Sequence, residues 1–108
     1  MLSLGLKTVT TAGTAVVLSA TKIRCTKIWI QPLKALNASA AEHTDNVGTL
    51  YIMNSSTAKG AASTNIMAVI PTGADTILLE ASQKGGYDLS TIYLDAVNNG
   101  DGALVNYV

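Results

Sequence analysis

Residues 90–108, STIYLDAVNNGDGALVNYV, hold two strand-like runs on either side of a cluster rich in Asn, Asp and Gly. In the first, Ile92 and Leu94 alternate with Tyr93 and Asp95; the second, ALVNYV at 103–108, is an apolar run. A period of two is the mark of a strand with one face buried, because successive Cβ atoms point to opposite sides of a sheet. The cluster between the runs, DAVNNGDG at 95–102, reads either as a calcium loop or as a turn. Calcium takes about six to eight oxygens, and helical calcium loops supply them from alternate positions and end in a bidentate Glu. Here Val97 stands where an oxygen belongs and no Glu closes the loop. Asp95, Asn98, Asn99 and Asp101, with Asp88, remain a minority set for weak calcium binding, and no metal residue is assigned. The expectation is a terminal hairpin whose Asn and Gly residues take positive φ.

Working outward, short β-branched or alternating runs recur between Gly, Asn and Pro punctuation, and helical periodicity is nearly absent. Strands are expected at 7–10, 14–18, 26–32, 48–54, 64–70, 75–80, 90–96 and 103–108. TAG at 11–13, PTG at 71–73 and NNGDG at 98–102 supply turns between them. About eight strands with a turn every ten or so residues are the pattern of an antiparallel β-sandwich or a small barrel, and the expectation is an all-β fold, a single antiparallel β-sandwich of jelly-roll type occupying residues 1–108. Two segments interrupt the meander. The longer Ala-rich connection at 33–46, LKALNASAAEHTDN, suggests a short helix or an ordered loop, and SSTAKGAAST at 55–64 suggests a hairpin tip.

Phase along the strands also orients the aromatic residues. If Ile28, Ile30, Leu50, Ile52, Ile92 and Leu94 face inward, then Trp29, Tyr51 and Tyr93 face outward from three strands. Three outward rings on neighbouring strands form a patch, and such patches mark interfaces or ligand platforms. Trp29, Tyr51 and Tyr93 are therefore the candidate interface.

Composition narrows the chemistry. The chain is 48% hydrophobic yet only 5% aromatic, without Phe, so its apolar content is mostly Ala, Val, Ile and Leu. Charged residues are 13%, about half the share usual in soluble domains, and the formal net charge is zero. Phosphate-driven nucleic-acid binding needs clustered Lys and Arg, and the thin run Lys22, Arg24, Lys27 and Lys34 does not provide it. One cysteine, Cys25, allows no internal disulfide and suits a small buried hydrophobe. One histidine, His43, has Glu42, Thr44 and Asp45 beside it but no Ser placed against it, so no catalytic residue is assigned. No zinc pattern and no phosphate-cradling loop appears, and the glycines of QKGGYD at 83–88 suit a tight turn, so no cofactor is expected. The N-terminus lacks the charged start and apolar run of a signal peptide, and no stretch approaches the ~20 apolar residues that span a bilayer. Synthesis in a cytoplasm, with no membrane and no nucleic-acid partner, is the expectation.

The order of segments carries a likeness. TVTTAGTAVVLSATKIRCTKIWIQPL at 8–33, NVGTLYIMNSS at 46–56, IMAVIPTGADTILLEA at 66–81 and YDLSTIYLDAVNNGDGALVNY at 87–107 together resemble small β-sandwich virion proteins of tailed bacteriophages. The motifs are strand and turn patterns spread over most of the chain. Two departures are the longer connection at 33–46 and YIMN in place of a strand ending in Gly. The resemblance implies a non-enzymatic virion structural protein: a capsid decoration or cement subunit on the capsid surface. It also implies a homo-oligomer, a trimer by preference, bound to the major capsid protein or other virion proteins. The alternative is a carbohydrate- or receptor-binding module of a fibre or tail, with the three rings as its platform.

Overall fold

The computed structural model describes residues 1–36, 43–56 and 65–108. Among these the strands are β1 (Leu2–Thr8), β2 (Val16–Val17), β3 (Arg24–Cys25), β4 (Lys27–Pro32), β5 (Ala35–Leu36), β6 (His43–Thr44), β7 (Leu50–Met53), β8 (Ile66–Ile70), β9 (Ile77–Glu80), β10 (Tyr87–Asp88), β11 (Tyr93–Ala96) and β12 (Gly102–Tyr107). A 3₁₀ turn, Leu89–Thr91, precedes β11. All pairings are antiparallel.

Two four-stranded sheets form the body, ordered β1-β12-β4-β9 and β2-β11-β7-β8. Their eight strands, counted along the chain, fall as first, eighth, third and sixth in one sheet, and second, seventh, fourth and fifth in the other. That is the strand order of a jelly roll, in which every connection except the β7–β8 hairpin crosses between the sheets. The expected all-β sandwich is therefore the fold. Ile28 and Ile30 from one sheet and Leu50, Ile52, Leu94 and Ile92 from the other fill the space between them. Along β4 burial alternates residue by residue, with Ile28, Ile30 and Pro32 covered and Lys27, Trp29 and Gln31 half-covered. Pro32 falls at the end of that strand, beyond the last residue paired with β9, where a missing N–H disturbs the ladder least.

Four expectations need correction. The terminal hairpin is not one: β11 lies in one sheet and β12 in the other, so residues 97–101 cross from sheet to sheet. Within that crossing only Gly100 takes a positive φ, of 86°, and both asparagines keep ordinary backbone. The first strand starts at Leu2 rather than near residue 7, because the ladder to β12 shifts register between Ser3 and Gly5. That bulge, with the Gly5 amide donating to Ser3 Oγ at 3.0 Å, changes the phase of the alternation and hides the strand from a period-two reading. The connection at 33–46 begins and ends not as helix but as a short ladder, Ala35 opposite Thr44 and Leu36 opposite His43. Residues 37–42 of that connection, Glu42 among them, and 57–64 of the expected hairpin tip lie outside the described residues.

Candidate functional site

Jelly-roll topology sends alternate crossings to opposite ends of the sandwich, and the two ends of this one differ in chemistry. At one end meet the β1–β2, β4–β7, β8–β9 and β11–β12 connections. Asp101, fully buried, accepts the Val47 amide on Oδ1 at 2.9 Å and the Gly48 amide on Oδ2 at 2.8 Å. Its own carbonyl accepts the Val9 amide at 2.8 Å, and the Gly100 amide returns a bond of the same length to the Val9 carbonyl. Asn46, also buried, accepts the Gly102 amide on Oδ1 and donates from Nδ2 to the Gly102 carbonyl, each at 2.9 Å. The side-chain amide thereby joins the Leu33 amide, which donates to the same Gly102 carbonyl at 3.1 Å, in closing the ladder at the start of β12. Asn99 Oδ1 accepts the Ala12 amide at 2.8 Å. Asp95, buried in β11, accepts the Gly13 amide at 2.9 Å and the Ala96 amide at 2.7 Å.

The side-chain oxygens of Asp95, Asn99 and Asp101 that sequence reading offered to calcium are thus turned toward backbone amides of two other connections, β1–β2 and β4–β7, and of Ala96. Amide donors supply the positive partial charge that a carboxylate otherwise seeks in a cation. Among the described residues no group of three or more His, Cys, Asp or Glu gathers as a metal site. Asp88, the fifth candidate, lies at the other end, where its Oδ1 caps the 3₁₀ turn.

Trp29, Tyr51 and Tyr93 do point outward from their strands, but the topology separates them. Trp29 sits on the β1-β12-β4-β9 sheet, between Asn106 and Leu78 in register. Tyr51 and Tyr93 sit on the other sheet as diagonal neighbours, Tyr51 opposite Asp95 and Tyr93 opposite Met53. The two outer faces turn away from each other, so the expected patch of three rings divides into a pair and a single ring. On the tyrosine face Val69 is exposed beside Tyr51, while Met53 and Asp95 are covered. On the Trp29 face Leu78 is exposed, and half-buried Leu6 and Leu104 lie opposite each other one row away.

The basic run is likewise dispersed. Arg24 precedes β4 and Lys34 follows it, with Nζ and Cε of Lys34 near Gly100 at the Asp101 end. The backbone of His43 belongs to the short β5–β6 ladder, and Thr44 and Asp45 are exposed.

The far end holds an open depression of about 450 Å³ that sequence reading did not single out. Arg24, Asn54, Met67, Tyr87, Asp88 and Thr91 line it. Arg24 and Asp88 are opposite each other in the β3–β10 pair, which places both charges on one side of that ribbon. Asp88 Oδ1 accepts from the Ser90 amide at 3.0 Å and the Ser90 hydroxyl at 2.7 Å. Those two bonds, the hydroxyl's first, hold its carboxyl below the usual range, with smaller help from Arg24 and Lys22. Beneath, the buried Cys25 thiol is pushed up, chiefly by burial and then by the Asp88 charge. These residues come from four segments far apart in sequence, and the Gly85–Gly86 pair beside them reads in the sequence as a tight turn.

No family model matches the chain, and no curated protein or solved structure matches it either.

Proposed function

We propose that this protein is a non-enzymatic structural component of a virion, a decoration or cement subunit that works as a homo-oligomer on a phage capsid. The observation that carries the reading is the outer face of the β1-β12-β4-β9 sheet. There Leu6, Leu104, Trp29 and Leu78 come from four adjacent strands, on a chain with few charges to keep such a face solvated. Interfaces are depleted of charge at their centre and enriched in aromatic anchors, and Trp leads the residues that dominate binding energy. Support comes also from the topology, since eight-stranded jelly rolls recur in viral capsid and lectin domains, and from the likeness of the strand and turn pattern to tailed-phage virion proteins. The assembly is a trimer by preference, with the major capsid protein as its partner.

Sedimentation of the purified protein, and its binding to capsids that lack it, test the reading. Trp29→Glu and Leu78→Glu lie on the outer face, so each keeps the wild-type circular dichroism while weakening self-association or capsid binding. A wild-type monomer that ignores capsids sinks the proposal. The carbohydrate-binding alternative loses its platform of three rings, because Trp29 stands on the face opposite the two tyrosines.

A further inference from the structure

We propose that the depression at the β3–β10 end binds a neutral sugar residue, gripping vicinal hydroxyls between the Arg24 guanidinium and the Asp88 carboxylate. The proposal does not depend on the capsid reading.

The pair is brought together but left open. Register sets Arg24 opposite Asp88, yet among the described residues the guanidinium makes only a long bond, from Nη1 to the Gly85 carbonyl at 3.4 Å. Both bonds to the Asp88 carboxylate land on Oδ1, which leaves Oδ2 free to accept. A guanidinium offers donors alone and a carboxylate acceptors alone, so together they complement a group that does both. A hydroxyl is such a group, and two adjacent hydroxyls on a ring meet both partners at once. Asn54, exposed at the rim, adds a donor and an acceptor, and Thr91 donates its hydroxyl to the Asp88 carbonyl at 2.8 Å while keeping lone pairs to accept.

The walls suit a sugar's less polar C–H face. Ile92 is buried and Met67 half-buried, and the Tyr87 ring is fixed by its hydroxyl, which donates to the Glu80 carbonyl at 3.0 Å. Gly86, also in the lining, lets the chain pass close against β3: a Cβ there would run into the Cys25 carbonyl, and its φ of 65° also excludes most side chains. The volume falls within the range of about 300–1,000 Å³ typical of small-molecule sites. Each charge of the pair works against one class of ion. Asp88 repels a carboxylate or phosphate brought to Arg24, and Arg24 with nearby Lys22 repels a cation brought to Asp88. A neutral, polyhydroxylated ring escapes both penalties.

The test is amide chemical-shift mapping on ¹⁵N-labelled protein titrated separately with glucose, galactose, mannose and N-acetylglucosamine, and in parallel arms with glucuronate and inorganic phosphate. The expected result is saturable shifts with at least one neutral sugar, centred on Arg24, Asn54, Asp88 and Thr91, at millimolar affinity. Arg24→Ala, at an exposed position, keeps the spectrum of the folded protein and weakens binding about tenfold or more, as loss of a charge-assisted bond requires. Asn54→Ala weakens it less. The proposal is overturned by shifts with glucuronate or phosphate alone, by shifts centred on Trp29 or on Tyr51 and Tyr93, by unchanged affinity in Arg24→Ala, or by no shift with any neutral sugar.

Discussion

Replacing Asp101 by alanine tests whether one buried carboxylate ties the β11–β12 connection to the β4–β7 connection. Alanine removes the acceptors of the Val47 and Gly48 amides but leaves the backbone bonds of residues 100 and 101 to Val9 formally intact. A hydrogen bond to a charged group contributes about 1.5–3 kcal/mol, so two give an upper figure of about 3–6 kcal/mol. Val47 is exposed, and water entering the emptied space satisfies part of what the two amides lose. The expected loss is therefore about 2–4 kcal/mol, against a total of about 5–15 kcal/mol for a typical domain, so the variant still folds at room temperature. In a thermal melt the midpoint falls by about 8–20 °C. Asn99→Ala is the matched control at the same end: it loses one neutral bond at an exposed residue, worth about 0.5–1.5 kcal/mol. Calcium gives an independent check, since a ligand held at a hundred times its dissociation constant adds about 2.7 kcal/mol of stability. With its carboxylates turned to amides, the wild type melts at the same temperature in calcium and in chelator. The reasoning fails if Asp101→Ala stays within about 0.5 kcal/mol of wild type, the range of ordinary surface changes, or if calcium raises the melting point.

Acid should act on Asp88. Its folded pKa is depressed, so its contribution is complete above the unfolded value of about 3.9 and fades as pH falls through the folded value; urea midpoints of wild type and Asp88→Asn therefore converge below about pH 4. Gly102→Ala drives a Cβ to 2.2 Å from the Lys7 carbonyl oxygen and must push β1 off β12. Strain of that kind costs about 1–3 kcal/mol, and hydrogen exchange should quicken in Leu2–Thr8 first. Cys25, buried and with its thiol pushed up, should react with Ellman's reagent only as fast as the chain unfolds; labelling in native buffer at the rate of free cysteine contradicts its placement.

Alternation made the strands and their phase legible. Ile28, Ile30, Leu50, Ile52, Ile92 and Leu94 are buried as their spacing requires, and each of the three rings between them points outward. Period two is a property of one strand, however, and carries no information about which sheet that strand joins. Tyr51 and Trp29 have the same phase and end on opposite faces for that reason. The same limit turned DAVNNGDG into a hairpin: two strands joined by five residues look alike whether they pair or cross. What distinguishes them is Asp101 and Asn46, whose partners lie 53 to 56 positions away. The Arg24–Asp88 pairing was invisible for a different reason, since β3 and β10 are two residues each and too short to show a period.

The contrast between the two ends follows from how a jelly roll is closed. Every crossing must turn the chain through the edge of a sheet, which strips backbone amides of ladder partners, and buried amides without partners are costly. At the end where β11 passes to β12, side-chain oxygens of Asp95, Asn99 and Asp101 take up amides of residues 12, 13, 47 and 48, so the polar groups of that end are spent on each other. At the other end the amides find backbone carbonyls, as Leu18 does with Ile92, Ser19 with Leu89 and Leu89 with Ile23. Fewer side chains there carry that duty: Asp88 Oδ1 takes the Ser90 amide and Ser19 Oγ the Thr21 amide. Asn54, one oxygen of Asp88 and Arg24, whose one bond among the described residues is the long one to the Gly85 carbonyl, are left facing an open depression. Substitutions should separate accordingly: Asp101→Ala lowers stability, whereas Arg24→Ala leaves the melting temperature within the surface range while altering what the depression holds. A loss of several kcal/mol in Arg24→Ala would show instead that this end, too, is a structural tie.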